Sequence, residues 1–166
     1  THDHLCRELA NRSRGLVVAV DYRRAPEHRY PAAVHDCWAA LAWVAQEAEA
    51  LGVDRRAIAV GGDSAGGNLA AVVARRARDE GGPHLCFQLL VYPVTDLHDM
   101  ASWDSRGRAG EGYALSAGLM EWFSDHYFGA DDRTNLPRGF GEECVGTRTR
   151  RGRACRAVSD HLSVHG

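Results

Sequence analysis

The chain has 166 residues, 45% of them hydrophobic, and 20 basic against 22 acidic side chains give a formal net charge of -2. That is enough for one domain with a core and hardly enough for two, and it excludes global disorder. The near-balanced charge gives no electrostatic reason to expect nucleic acid or an anionic membrane surface as partner.

All the basic residues are arginine, a bias that GC-rich coding explains. The five cysteines (Cys6, Cys37, Cys86, Cys144, Cys155) are odd in number and widely spaced, with no C-x-x-C pair and no His/Cys cluster at zinc spacing. Reduced thiols in a cytoplasmic protein, and no metal site, are the expectation. No apolar run approaches the ~20 residues of a membrane span, and "THDHLCRELANRS" lacks the apolar core of a signal peptide.

Leu5 to Ala10 carries a weak helical pattern. "GLVVAVDY", Gly15 to Tyr22, is a nearly continuous β-branched run and predicts a strand buried on both faces. "RRAPEHRYP" reads as a loop, with Pro26 and Pro31 blocking regular structure. From Ala32 the period changes: Val34, Trp38, Leu41, Ala45 and Ala48 form one apolar helical face, with Gly52 as its stop. "AIAVGG" predicts a second strand. "NLAAVVARRARDEGG" predicts a helix with Leu69, Val72 and Val73 inward, and "LCFQLLVYP", Leu85 to Pro93, a third strand. Strand, helix, strand, helix, strand implies a parallel sheet joined by crossover helices.

Beyond Pro93 the chain loosens. "TDLHDMASWDSRGRAGEGYALS" is polar and Gly-rich, a long loop. Ser116 predicts a helix cap, with Leu119, Met120, Phe123 and Tyr127 as the apolar side. After Asn135 no period is sustained. Residues 137–166 hold six Arg against three acids, leaving 14 Arg and 19 acids in 1–136, so the body is -5 and the tail +3. Two regions are therefore expected: a core over 1–136 and an irregular tail over 137–166.

Chemistry concentrates in "VGGDSAGGN", Val60 to Asn68. Gly62-Asp63-Ser64-Ala65-Gly66 fits G-x-S-x-G, with a strand before it and a helix after it, the setting of a nucleophile elbow. The chain must reverse from strand to helix within a few residues. Gly62 and Gly66, two before and two after the serine, are expected to be small because the two backbones nearly touch there, with Ala65 and Gly67 keeping the neighbourhood small. Ser64 then projects above the C-terminal edge of the sheet, and the Ala65 N–H points to the same spot as an oxyanion donor. The competing reading is a glycine-rich connection that only packs a helix against a strand. A chymotrypsin-type G-D-S-G-G is discounted by Ala65 and the helix that follows, and a phosphate-binding loop by the absence of lysine.

"GDSAGGNLA" (Gly62 to Ala70), "VAVDYRRAPEHRYPAAVHD" (Val18 to Asp36) and "LLVYPVTDL" (Leu89 to Leu97) together resemble the hormone-sensitive-lipase-type branch of the α/β-hydrolases, over residues 1 to 135. The resemblance implies a partial α/β-hydrolase fold, a parallel sheet with flanking helices, and the activity of a carboxylesterase or lipase on small-molecule carboxylic esters without a cofactor. Carried over by position, it implies Ser64 as nucleophile, Ala65 N–H as oxyanion donor, and Asp63 as a structural support. The family's His-Gly-Gly-Gly loop is missing, as though the chain began just after it. The triad acid and histidine motifs are missing after Asn135. Asp160, His161 and His165 are the late candidates, but "AVSDHLSVHG" matches neither motif. A reading frame that slips near Asn135 would explain this, and translating the other two frames tests it: neither yielding an Asp-Pro-Leu-like stretch followed by a His would refute it. The alternative function is a catalytically inactive hydrolase fragment, an interaction module or pseudogene product.

Four further features carry less. His2 and His4 form an H-x-H that reads as solvent-exposed rather than metal-binding. Trp103, Trp122, Phe123, Tyr127 and Phe128 fit packing at least as well as an acyl pocket. The Arg run Arg148 to Arg156 reads as a solvated tail, and Tyr92-Pro93 as structural.

Overall fold

The computed structural model describes residues 2–94 and 115–129. In chain order these form helix α1 (Asp3–Ser13), helix α2 (Ala32–Gln46), a 3₁₀ turn (Arg55–Ala57), strand β1 (Ala59–Asp63), helix α3 (Ala65–Asp79), strand β2 (Phe87–Val91) and helix α4 (Ala117–Phe128). β1 and β2 pair in parallel, from Ala59 opposite Phe87 to Asp63 opposite Val91, with α3 as the crossover.

The core lies between this ribbon and two helices. Leu41 and Ala45 of α2, Ile58 before β1, and Val73 and Ala77 of α3 form one buried cluster, with Val60 and Trp38 packed on it. Ala33, Val34 and Leu69 form a second. The α2 face is thus the one its period predicts: Val34, Leu41, Ala45 and Ala48 are buried. Trp38 is half-exposed, and the Arg76 guanidinium covers its ring, 4.4 Å from the centroid, a cation–π contact. α2 ends at Gln46, short of Gly52. The Glu47–Val53 stretch continues as turns, with Val53 N–H bonded to Ala48 O and Gly52 at φ 68°.

Two expectations need correction. Leu16 to Tyr22 is not a strand: it runs extended without a ladder, and Leu16, Val18 and Val20 are exposed. The sheet therefore has two strands rather than three among the described residues. A β-branched run is a strand only when a neighbour supplies the other half of the hydrogen bonds, and none does among the described residues. The segment is fastened by a side chain instead. Arg23 N–H and guanidinium donate to both oxygens of Asp36 in α2, at 2.8 to 3.1 Å. That guanidinium, then the Arg23 N–H, hold the Asp36 carboxyl down at about 2.

The second correction concerns α4. Ser116 caps it as predicted, accepting from Leu119 N–H. However, Leu119 and Phe123 are exposed, and the inward side is Ser124 with half-buried Met120, Tyr127 and Phe128. The reason is docking at the helix end: Tyr30 N–H donates to Tyr127 O at 2.9 Å, and the Tyr30 ring sits against Tyr127 and Phe128. That fixes the rotation of α4. Trp103, Asp160, His161, His165 and the Arg148 to Arg156 run lie outside the described residues.

Candidate active site

Ser64 stands between the last residue of β1 and the first of α3, with φ 51° and ψ -119°. A non-glycine residue is held there only by its surroundings. Its N–H donates to Val91 O at 3.0 Å. Its carbonyl accepts from Asn68 N–H at 3.1 Å and from Val94 N–H at 3.3 Å. The end of β2 therefore grips the Ser64 peptide on both sides. Asn68, nearly buried, adds a side-chain N–H to Val94 O at 2.6 Å.

The glycines do different work from one another. A Cβ on Gly62 would overlap the carbonyl of Gly66 and lie 2.8 Å from Gly67 N, so that position excludes every side chain. A Cβ on Gly67 would lie 3.0 Å from both Gly62 O and Pro93 Cβ. A Cβ on Gly66 meets nothing within 4 Å among the described residues, contrary to the expectation that Gly66 must be small. It is the Gly66 backbone that occupies the space next to Gly62; its own Cβ position faces outward.

Ala65 opens α3, so its N–H is one of the first four without an intrahelical acceptor, at the positive end of the helix dipole. Asp63 turns away from these donors: its carboxylate meets His2 Nε2 at 3.2 Å and accepts from Tyr92 OH at 3.4 Å. The His2 contact spans 61 residues; nothing in an H-x-H near a terminus points to it. Tyr22 lies in the same neighbourhood, its phenol pushed up by burial and by the Cys37 and Asp63 charges. Burial, then the Asp36 charge, pushes the Cys37 thiol up to about 11, so it is not a thiolate nucleophile.

Among the described residues no hydrogen bond joins the Ser64 hydroxyl to an imidazole, and no group of three His, Cys, Asp or Glu could hold a metal ion. No described helix is long and apolar enough to cross a membrane. A cavity of about 420 Å³ lies at the opposite end of β1, against Gln46, Arg55, Arg56, Gly82 and His84. It is remote from the serine.

The α/β-hydrolase fold family matches residues 1–139. The chain is 50% identical over 137 residues to Esterase LipI of Mycobacterium tuberculosis, covering 82% of this chain and 42% of that protein. It is 54% identical over 138 residues to the gibberellin receptor of Oryza sativa, covering 82% of this chain and 38% of the receptor. Among solved structures, a hyperthermophilic esterase from Pyrobaculum calidifontis superposes with a TM-score of 0.77 at 46% identity, covering 86% of this chain and 45% of that one. The chain thus spans less than half the length of these relatives.

Proposed function

The chain belongs to the α/β-hydrolase fold family, in its hormone-sensitive-lipase-type branch, and on that premise we propose that Ser64 is the nucleophile of a carboxylic-ester hydrolysis. The observation that carries this reading is the backbone of Ser64 itself: a positive φ between a parallel strand and a helix, at a point where Gly62 admits no side chain.

Ser64 Oγ attacks the ester carbonyl carbon and its proton passes to a histidine. The Ala65 N–H faces the oxygen that becomes negative, where a fixed donor stabilises the tetrahedral intermediate. The intermediate collapses as the C–O bond to the alcohol breaks and the alcohol leaves with the proton. Water then repeats the sequence on the acyl-enzyme. Small-molecule esters are the substrate class, and no cofactor takes part. Asp63, turned to His2 and Tyr92, supports the turn. The free thiols of Cys6, Cys37 and Cys86 favour a reducing, cytoplasmic setting.

A second reading rests on two specific observations. No described imidazole bonds Ser64, and one relative is named for reception of a ligand rather than for hydrolysis. A mounted serine without a base leaves only the slow rate of binding and oxyanion stabilisation. Hydrolysis of p-nitrophenyl acetate by the wild type and Ser64→Ala separates the two. The expected result is turnover little above that of Ser64→Ala. Fast turnover that vanishes in Ser64→Ala would show that this chain supplies its own base, with His161 and His165 as the candidates.

A further inference from the structure

We infer that Tyr92 is a positioning residue for the elbow: its left-handed backbone turns the chain so that both peptide groups of Ser64 are held by one short stretch of β2 and its exit. Three described non-glycine residues have positive φ: Arg14 at 55°, Ser64 at 51° and Tyr92 at 36°. Arg14 ends α1 as an ordinary left-handed cap, and Ser64 is the elbow. Tyr92 has no such local reason. Its side chain is 70% exposed, so burial of the ring does not force the backbone.

The reason lies in its two flanks. Val91 O accepts from Ser64 N–H, and Val94 N–H donates to Ser64 O, at 3.0 and 3.3 Å. In a strand that continued straight, residues three apart would be separated by about 10 Å. Both can reach one residue only if the chain bends between them. Pro93 has its φ fixed near -65° and disfavours the right-handed helical region for the residue before it, so a bend at Tyr92 takes the positive φ observed there. Pro93 is itself packed against Gly67, and Asn68 secures Val94 from below. The Tyr92 phenol adds its contact with Asp63. Tyr92 touches the Ser64 site through neighbouring groups and takes no part in the chemistry. Its consequence for reactivity rests on Ser64 being the nucleophile; its consequence for geometry does not.

The test uses the full chain and four variants: Tyr92→Gly and Tyr92→Asn, which accept left-handed backbone, Tyr92→Val, which does not, and Tyr92→Phe, which lacks only the hydroxyl. Amide exchange is followed at Ser64 and Val94, with Leu41 and Val73 as reference for the rest of the fold. Phosphonylation of Ser64 by a fluorophosphonate is timed in parallel. Tyr92→Val is expected to lose about tenfold in protection at Ser64 and Val94, with Leu41 and Val73 unchanged. Tyr92→Gly, Tyr92→Asn and Tyr92→Phe should stay within about threefold of wild type, and phosphonylation should follow the same order. If Tyr92→Val fails to fold, Tyr92→Ala replaces it and must fall below Tyr92→Gly in protection. Equal protection in Tyr92→Val and Tyr92→Gly, or a loss in Tyr92→Phe as large as in Tyr92→Val, overturns the inference. Protection in the expected order with no labelling of Ser64 in any variant, even with added imidazole, upholds the positioning and refutes the nucleophile.

Discussion

The stretch around Ser64 and the segment from Leu16 to Arg24 are held in opposite ways. Ser64 is tied through its own backbone to β2 at both its N–H and its carbonyl, and Gly62 leaves no space for a side chain. Leu16 to Arg24 has no ladder among the described residues, exposes Leu16, Val18 and Val20, and is fastened to α2 by the Arg23–Asp36 pair and by Tyr22, packed against Ala33 and Val34. The difference teaches where this molecule is rigid. The elbow is over-determined by backbone geometry, which at Gly62 admits no side chain, while the segment from Leu16 to Arg24 carries a solvent-exposed ion pair that pH can remove.

The largest effect expected from breaking that contrast is at Gly62. Gly62→Ala forces a methyl into the Gly66–Gly67 backbone and should cost about 3 kcal/mol or more by urea denaturation. Gly66→Ala, with its Cβ position open, should cost far less and leave the elbow intact. Next is the main core cluster, between α2, α3 and the start of β1. Leu41 is 6% exposed within the main cluster, and Leu41→Ala should cost about 2 to 4 kcal/mol.

The extended segment should respond to pH instead. The folded Asp36 carboxyl sits at about 2, below its ordinary value of 3.8. A depressed carboxylate contributes stability that is fully present above the unfolded value and lost as pH falls through the folded one. The anchor should therefore weaken between about pH 4 and 2, and Arg23→Ala should return the Asp36 titration, followed by NMR, to the ordinary range. The smallest effect belongs to Leu16. At 54% exposure, Leu16→Ala should change stability by no more than about 0.5 kcal/mol.

The same contrast explains what was legible in the residues alone. The elbow was readable because its demands are local: a glycine where two backbones meet, a serine at the reversal, an apolar strand before and a helix after. The α2 face was readable because one period of 3.6 satisfied one core. Leu16–Tyr22 reads as a strand because composition reports only what a strand would bury, whereas a ladder needs a partner far along the chain. The motif gives the spacing of Gly66 but not the direction of its Cβ, which is open among the described residues. His2 on Asp63 and the bend at Tyr92 had no signal beyond an H-x-H and a Tyr-Pro pair, since each acts on a residue at least 28 positions away.

The central claim, that Ser64 is mounted as a nucleophile, is tested most directly by intact-protein and peptide mass spectrometry after exposure to a fluorophosphonate, with and without added imidazole. A single slow adduct on the Ser64 peptide is expected, formed as Oγ bonds phosphorus and fluoride leaves. Imidazole should accelerate it by accepting the proton, and Ser64→Ala should abolish it. An adduct at another residue, or none at Ser64 even with imidazole, would contradict it.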